Sequence, residues 1–184
     1  MTGQAMRRIA TEEAFSIPEV AQALRTLCES RTGAQNIDMM LVRNIYGDGA
    51  GYQASFLAPL LDIEGERLRD MDANGVDMQV LSLTAPGVQM LDADTATELA
   101  TVANDRLAEV IARHPRRFAG LASFAPHSPK RAVREMERAV NSLKLNGVVV
   151  NSHTNNEYLD DPKYWPVLEA AEALDRCIYI HPRG

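Results

Sequence analysis

Residues 118–151 read FAGLASFAPHSPKRAVREMERAVNSLKLNGVVVN, and the change of period inside this stretch decides the fold. It opens on a short apolar run, Phe118 to Ser123, such as a strand buried on both faces requires. Ser128 and Pro129 then give a helix cap with proline at the first helical position, and Val133, Met136, Val140 and Leu143 recur at helical spacing. A second apolar run, Gly147 to Asn151, follows the turn. Strand, helix and strand in this order make a parallel βαβ unit.

The same alternation extends in both directions. Strands are predicted at 8–12 and 78–83 upstream and at 177–181 downstream. Asp92 or Asp94 caps a helix carrying Leu99, Val102, Leu107, Val110 and Ile111, which Pro115 ends. Another helix, with Ile63, Leu68 and Met71, closes at Asn74-Gly75, where glycine accepts the left-handed conformation. Asp160-Asp161-Pro162 opens a helix through Trp165, Leu168, Ala171 and Leu174, with Trp165 read as core. Residues 30–60, punctuated by Gly33, Gly47, Gly49 and Gly51, read as a long loop after the first strand-helix unit.

Strand ends recur every 30 to 40 residues or so, the size of one βα unit. The first βα turn, Thr11-Glu-Glu-Ala-Phe15, lacks the glycines with which a doubly wound sheet cradles phosphate. The expected fold is therefore α/β, a TIM-like (β/α)8 barrel. Such barrels typically take about 250 residues, so the 184 here are read as a single domain holding its first five βα units.

A formal charge of −6, with no basic run longer than a pair, excludes a surface built to grip nucleic acid. No apolar run approaches the roughly 18 residues needed to cross a bilayer. The first residues lack the apolar stretch of a signal peptide, and Cys28 and Cys177 stand apart without CxxC spacing. A reducing, cytoplasmic setting is expected.

In parallel α/β folds, chemistry gathers at the carboxyl ends of the strands. Those ends carry Glu12-Glu13, Thr84, His127, Asn151-Ser152-His153 and His181. A carboxylate from one strand and an imidazole from another suit a divalent ion such as Mn²⁺, Fe²⁺ or Zn²⁺. Either acidic residue is a candidate ligand, or simply an acid opening the next helix. His181, closing the apolar run Cys-Ile-Tyr-Ile, points to function. Thr84 either faces a ligand or finishes a turn. Arg43 and Tyr46 are candidates to hold an anionic aromatic substrate, or else belong to a solvated loop. His114 and His127 read as structural, and His153 as a loop residue.

Five strings together carry a resemblance: Ile9-Ala10-Thr11-Glu12-Glu13-Ala14-Phe15, Leu83-Thr84-Ala85-Pro86, Ala103-Asn104-Asp105, Pro115-Arg116-Arg117-Phe118 and Tyr179-Ile180-His181-Pro182-Arg183. Over essentially the whole chain the sequence resembles the metal-dependent aromatic acid decarboxylase branch of the amidohydrolase superfamily. In that superfamily strand one usually ends in His-x-His and strand five in a metal-binding His. Here Glu12 and Ala14 take the first two positions and His181 the third. Glu-x-Ala is similar to the carboxyvanillate decarboxylases, whereas the γ-resorcylate decarboxylases keep a His where Ala14 stands. The resemblance thus implies Glu12 and His181 as metal ligands; strand alternation turns Glu13 to the other face.

It further implies one divalent ion, Mn²⁺ preferred and Zn²⁺ possible, no organic cofactor, a small aromatic carboxylate substrate, and a homo-oligomer, dimer or tetramer. Non-oxidative decarboxylation of a hydroxylated benzoate such as 5-carboxyvanillate is the expected activity, with Thr84, Arg43 and Tyr46 toward the substrate. The family's strand-six His and strand-eight Asp, the latter both ligand and proton donor, are expected beyond Gly184. Two other readings are a hydrolase or hydratase of the same superfamily, against which Glu12-x-Ala14 counts, and a non-catalytic half-barrel partner protein.

Overall fold

The computed structural model describes residues 6–30, 37–47 and 52–183. In chain order the elements are β1 (Ile9–Phe15), α1 (Pro18–Ser30), α2 (Ile37–Tyr46), α3 (Tyr52–Leu61), α4 (Glu66–Asn74), β2 (Met78–Leu83), α5 (Ala93–Arg113), β3 (Phe118–Ser123), α6 (Pro129–Asn141), β4 (Gly147–Asn151), β5 (His153–Thr154), β6 (Glu157–Tyr158), α7 (Trp165–Ala173) and β7 (Ile178–His181). Five strands pair in parallel in the order β1-β2-β3-β4-β7, and β5-β6 form a small antiparallel hairpin at the end of β4.

Gly120 fixes which face of this sheet is which. A Cβ there would come within 2.7 Å of a Leu107 methyl and 2.8 Å of an Ile111 methyl, so α5 lies directly against it and any larger residue would make those side chains shift. Gly120 is in register with Leu81, and the same face carries Phe118, Ala122 and Val148. These residues pack under the helices with Phe15, Val20, Leu24, Leu107 and Met136, which form the core. The opposite, concave face presents Ala14 beside Ser82, Ser123 beside Val149, Val149 beside Tyr179, and Asn151 beside His181.

A flat sheet would set β1 and β7 four strand spacings apart, roughly 19 Å. Instead, Oε1 of Glu12 on β1 lies 3.7 Å from Nε2 of His181 on β7. The sheet is therefore strongly curled, as the wall of a barrel must be. This is the TIM-like half-barrel the sequence leads one to expect.

Helix ends follow the sequence closely. Asp92 caps α5 by accepting from the backbone N–H groups of Asp94 and Thr95, and Gly75 closes α4 at φ 64°. Ser128 stands at the cap position of α6, but its side chain makes no capping bond.

Three expectations need correction. Residues 30–60 are no long loop, since α2 and α3 occupy much of the segment. Met39, Val42 and Tyr46 form a buried helical stripe, and Gly47 follows α2 rather than interrupting it; Gly33, Gly49 and Gly51 lie outside the described residues. The first strand runs on to Phe15, so Glu12 and Glu13 lie inside it. Trp165 is 52% exposed and not core, because the buried stripe there is Tyr164, Val167 and Ala171.

Candidate metal centre

The placement of Glu12 depends on a bulge in β1. Ala10 is in register with Gln79 and Glu13 with Leu81, so Thr11 and Glu12 together stand opposite Val80. Such an extra residue bends the strand and re-aims a side chain. Glu13 shares the helix-side face with Leu81, and its carboxylate lies 3.9 Å from the Arg67 guanidinium of α4. Glu12 turns to the concave face and meets His181.

His181 is oriented by its own chain. Nδ1 lies 2.6 Å from the carbonyl oxygen of Pro182, which can only accept, so Nδ1 carries the proton and donates it. In the neutral ring Nε2 is then left with a lone pair, and Nε2 is the atom nearest Glu12. This is the arrangement in which a metal-binding imidazole has its tautomer set by the hydrogen bond on its other nitrogen.

Tyr179, two residues earlier on the same face of β7, stands close enough to the Glu12 carboxylate to feel it. The Glu12 carboxylate, with a smaller contribution from burial, raises the phenol above its ordinary value. One carboxylate and one imidazole nitrogen on a concave wall match the donor preferences of a divalent ion of intermediate softness. Among the described residues no set of three or more His, Cys, Asp or Glu converges to hold a metal, so this chain offers two such donors here.

The wall around the pair is braced. Gln89 accepts from the backbone N–H of Asn151 at 2.7 Å and donates to the Thr154 hydroxyl at 2.7 Å. Asn151 in turn donates to the carbonyl of Pro86 at 2.9 Å. These bonds tie the mouth of β4 to the turn after β2.

The residues read as substrate contacts separate. Thr84 lines a cleft of about 800 Å³ together with Glu13, Ala14, Ile45, Phe56 and Arg67. Tyr46 is fully buried in α2 with its hydroxyl 3.3 Å from Ser16, and burial pushes its phenol up to about 12. It is a core residue in this structure, neither on a loop nor open to a ligand. Arg43 is a half-buried residue of the same helix, close enough for its charge to oppose the upward shift that burial gives the Cys28 thiol. His127 lines a second cleft, of about 890 Å³, beside His153 and Arg183. Burial lowers its imidazole below the usual value.

Sequence reasoning missed Tyr179, although period two places it on the face of His181. It also missed the Arg183–Asp38 ion pair, for which no signal existed while residue 38 was read as loop.

A curled parallel sheet with a carboxylate and a histidine converging at its carboxyl ends is the architecture of the amidohydrolases, and the chain belongs to the amidohydrolase family, whose model matches residues 54–183. Its fold is similar to that of 5-carboxyvanillate decarboxylase from Sphingomonas paucimobilis, at 54% identity and a TM-score of 0.91 over 97% of this chain and 52% of that one. The 5-carboxyvanillate decarboxylase of Novosphingobium aromaticivorans, solved with manganese and 4-hydroxy-3-methoxy-5-nitrobenzoic acid, gives 38% identity and a TM-score of 0.89 over 98% and 51% of the two chains. Among curated proteins, a gamma-resorcylate decarboxylase of Rhizobium radiobacter is 36% identical over 96% of this chain and 50% of its own length. The chain thus spans about half the length of these relatives.

Proposed function

We propose that this chain supplies two metal ligands and part of the substrate-facing wall of a divalent-metal-dependent, non-oxidative decarboxylase acting on a hydroxylated aromatic carboxylate, 5-carboxyvanillate above all, in the breakdown of lignin-derived compounds. The approach of Glu12 to His181 from the two edges of the sheet carries the reading. The 54% identity to a carboxyvanillate decarboxylase and the Glu-x-Ala pattern favour that substrate within the class. Glu12 and His181 Nε2 would hold the ion, with Mn²⁺ favoured because solved relatives carry manganese, and Zn²⁺ as the alternative.

An ion held by Glu12 and His181 would supply Lewis acidity toward the oxygens of the substrate. The residues do the rest. Glu12 brings negative charge, Tyr179 lies beside it on the same wall, and the Pro182 carbonyl fixes the ring of His181. The methyl of Ala14 keeps the neighbouring position small, leaving room for an aromatic ring. Thr84 stands at the rim of the adjacent cleft. We place the enzyme in the cytoplasm as a homo-oligomer; among the described residues no helix is long and apolar enough to cross a membrane.

The full-length protein is expected to release CO₂ from 5-carboxyvanillate without O₂ or an organic cofactor. A chelator should abolish the activity and Mn²⁺ restore it. Moving the hydroxyl from ortho to para should remove most of the rate, because the two oxygens no longer chelate together. Turnover of a lactone with no CO₂ from any hydroxybenzoate would overturn the proposal in favour of a hydrolase.

A further inference from the structure

The carboxyl end of β7 is tied down by a buried ion pair. Arg183 donates through Nε to Oδ2 of Asp38 at 2.5 Å, and its Nη1 donates to the carbonyl of His153 at 3.1 Å. The Arg183 and Asp38 side chains are 8% and 5% exposed. Two charges this deep tolerate burial only when paired with good geometry, so removing either is costly and the pair holds its partners in one arrangement. With these donors engaged, Arg183 serves as an anchor at the border of the cleft it shares with His127 and His153.

The anchor has short reach. Arg183 is two residues past His181, and the peptide between them belongs to Pro182, whose carbonyl accepts the proton of His181 Nδ1 at 2.6 Å. Where the guanidinium is pinned, the path of Pro182 is pinned, and with it the direction of Nε2. The other end of the clamp is in the first turn of α2, a helix held in the core by Met39, Val42 and Tyr46. Neither Glu12 nor His181 lies on that helix, yet it is joined to one of them through two side chains.

We propose that Arg183 and Asp38 are positioning residues for the metal ligand His181, and that their ion pair couples the seating of α2 to occupancy of the metal site; this rests on the metal-site reading above. Coupling is reciprocal: if the clamp favours the ligand geometry, the ion must favour the clamped helix. Binding of Mn²⁺ should then slow hydrogen exchange in residues 37–46, which supply neither Glu12 nor His181.

The test uses the full-length protein and manganese alone. Wild type, Glu12→Gln, Asp38→Asn and Arg183→Lys are titrated with Mn²⁺ by calorimetry, and exchange of residues 37–46 is followed by mass spectrometry with and without the ion. Wild type is expected to gain protection there on binding. Asp38→Asn and Arg183→Lys should bind Mn²⁺ on the order of 10-fold more weakly, the usual scale for loss of a residue that supports a ligand, and should lose the ion-dependent gain. Asp38→Asn preserves side-chain size, and Arg183→Lys keeps the charge while removing the guanidinium fork, so it decides the matter if Asp38→Asn does not fold. A merely structural role would change protection equally with and without Mn²⁺. Unaltered affinity with an unaltered ion-dependent gain overturns the clamp and leaves the metal reading standing. Failure of wild type to bind, or binding by Glu12→Gln equal to wild type, overturns the metal reading and the clamp with it.

Discussion

Glu12 and Glu13 are identical carboxylates one peptide apart, and the pleat of β1 gives them different surroundings. Glu13 faces the helices, 3.9 Å from Arg67, which also donates to the carbonyl of Ala14 at 2.7 Å. Glu12 faces His181 and Tyr179. Glutamine has nearly the same shape but no charge, so it removes the ligand while sparing the fold. Glu12→Gln should therefore lose most of its metal in the full-length protein, and Glu13→Gln should retain it. Elemental analysis of the two purified variants checks this, and equal metal in wild type and Glu12→Gln would contradict it. How Glu12 is aimed was only half legible in the sequence. Alternation separated the two carboxylates correctly, but the bulge that doubles Thr11 and Glu12 against Val80 has no signature in residue types. Tyr46 could not be placed from sequence at all, since its burial depends on where α2 docks.

Among the elements, the strands were the most readable, because a strand buried on both faces leaves a short apolar run between turns. β2, β3 and β4 begin and end where those runs do. Less legible is how α5 and α6 are joined to the sheet. Asn104, 1% exposed in the middle of α5, donates to the carbonyl of Ser123 at 2.8 Å and accepts from its N–H at 2.8 Å. It also donates to Glu135 of α6 at 2.7 Å, a carboxylate that Arg138 grips from the other side. One amide thus serves the last residue of β3 and a buried carboxylate. Asn104→Ala would leave these groups short of partners where water is excluded, at about 1–3 kcal/mol for each unsatisfied group. A loss of about 3 kcal/mol corresponds to a Tm roughly 6–12 °C lower for a domain of this size. Asn74 is exposed at the end of α4 and its side chain bonds only to the carbonyl of Asp70 among its described contacts, so Asn74→Ala, which keeps the backbone bond from Arg8, should move Tm little. Thermal scans of the two variants make the comparison; similar shifts would mean that the Asn104 network adds nothing to stability.

At the scale of the whole molecule, the curl of the sheet leaves two open edges. Among the described residues β1 and β7 each have one paired strand, and the other side of each carries backbone groups that no strand pairs. Ile9 on β1 is 47% exposed and Ile180 on β7 is 55% exposed, so both edges combine free backbone with apolar side chains. Edges of this kind template pairing with further chains unless they are covered, and a closed barrel removes them altogether. The relatives it matches are about twice as long as this chain. The 184-residue chain expressed alone is accordingly expected to self-associate at micromolar concentration, while a protein extended to its relatives' length should be of defined size. Size-exclusion chromatography with light scattering distinguishes the two. A monodisperse monomer of the short chain, unfolding cooperatively, would show that these edges are protected in some other way and would favour a self-sufficient half-barrel. Association should also weaken when the edges alone are altered. Ile180→Lys places a charge on the exposed side of β7 without touching Tyr179 or His181, which point to the other face. Increased solubility of that variant would locate the association at the β7 edge, and unchanged solubility would move it elsewhere.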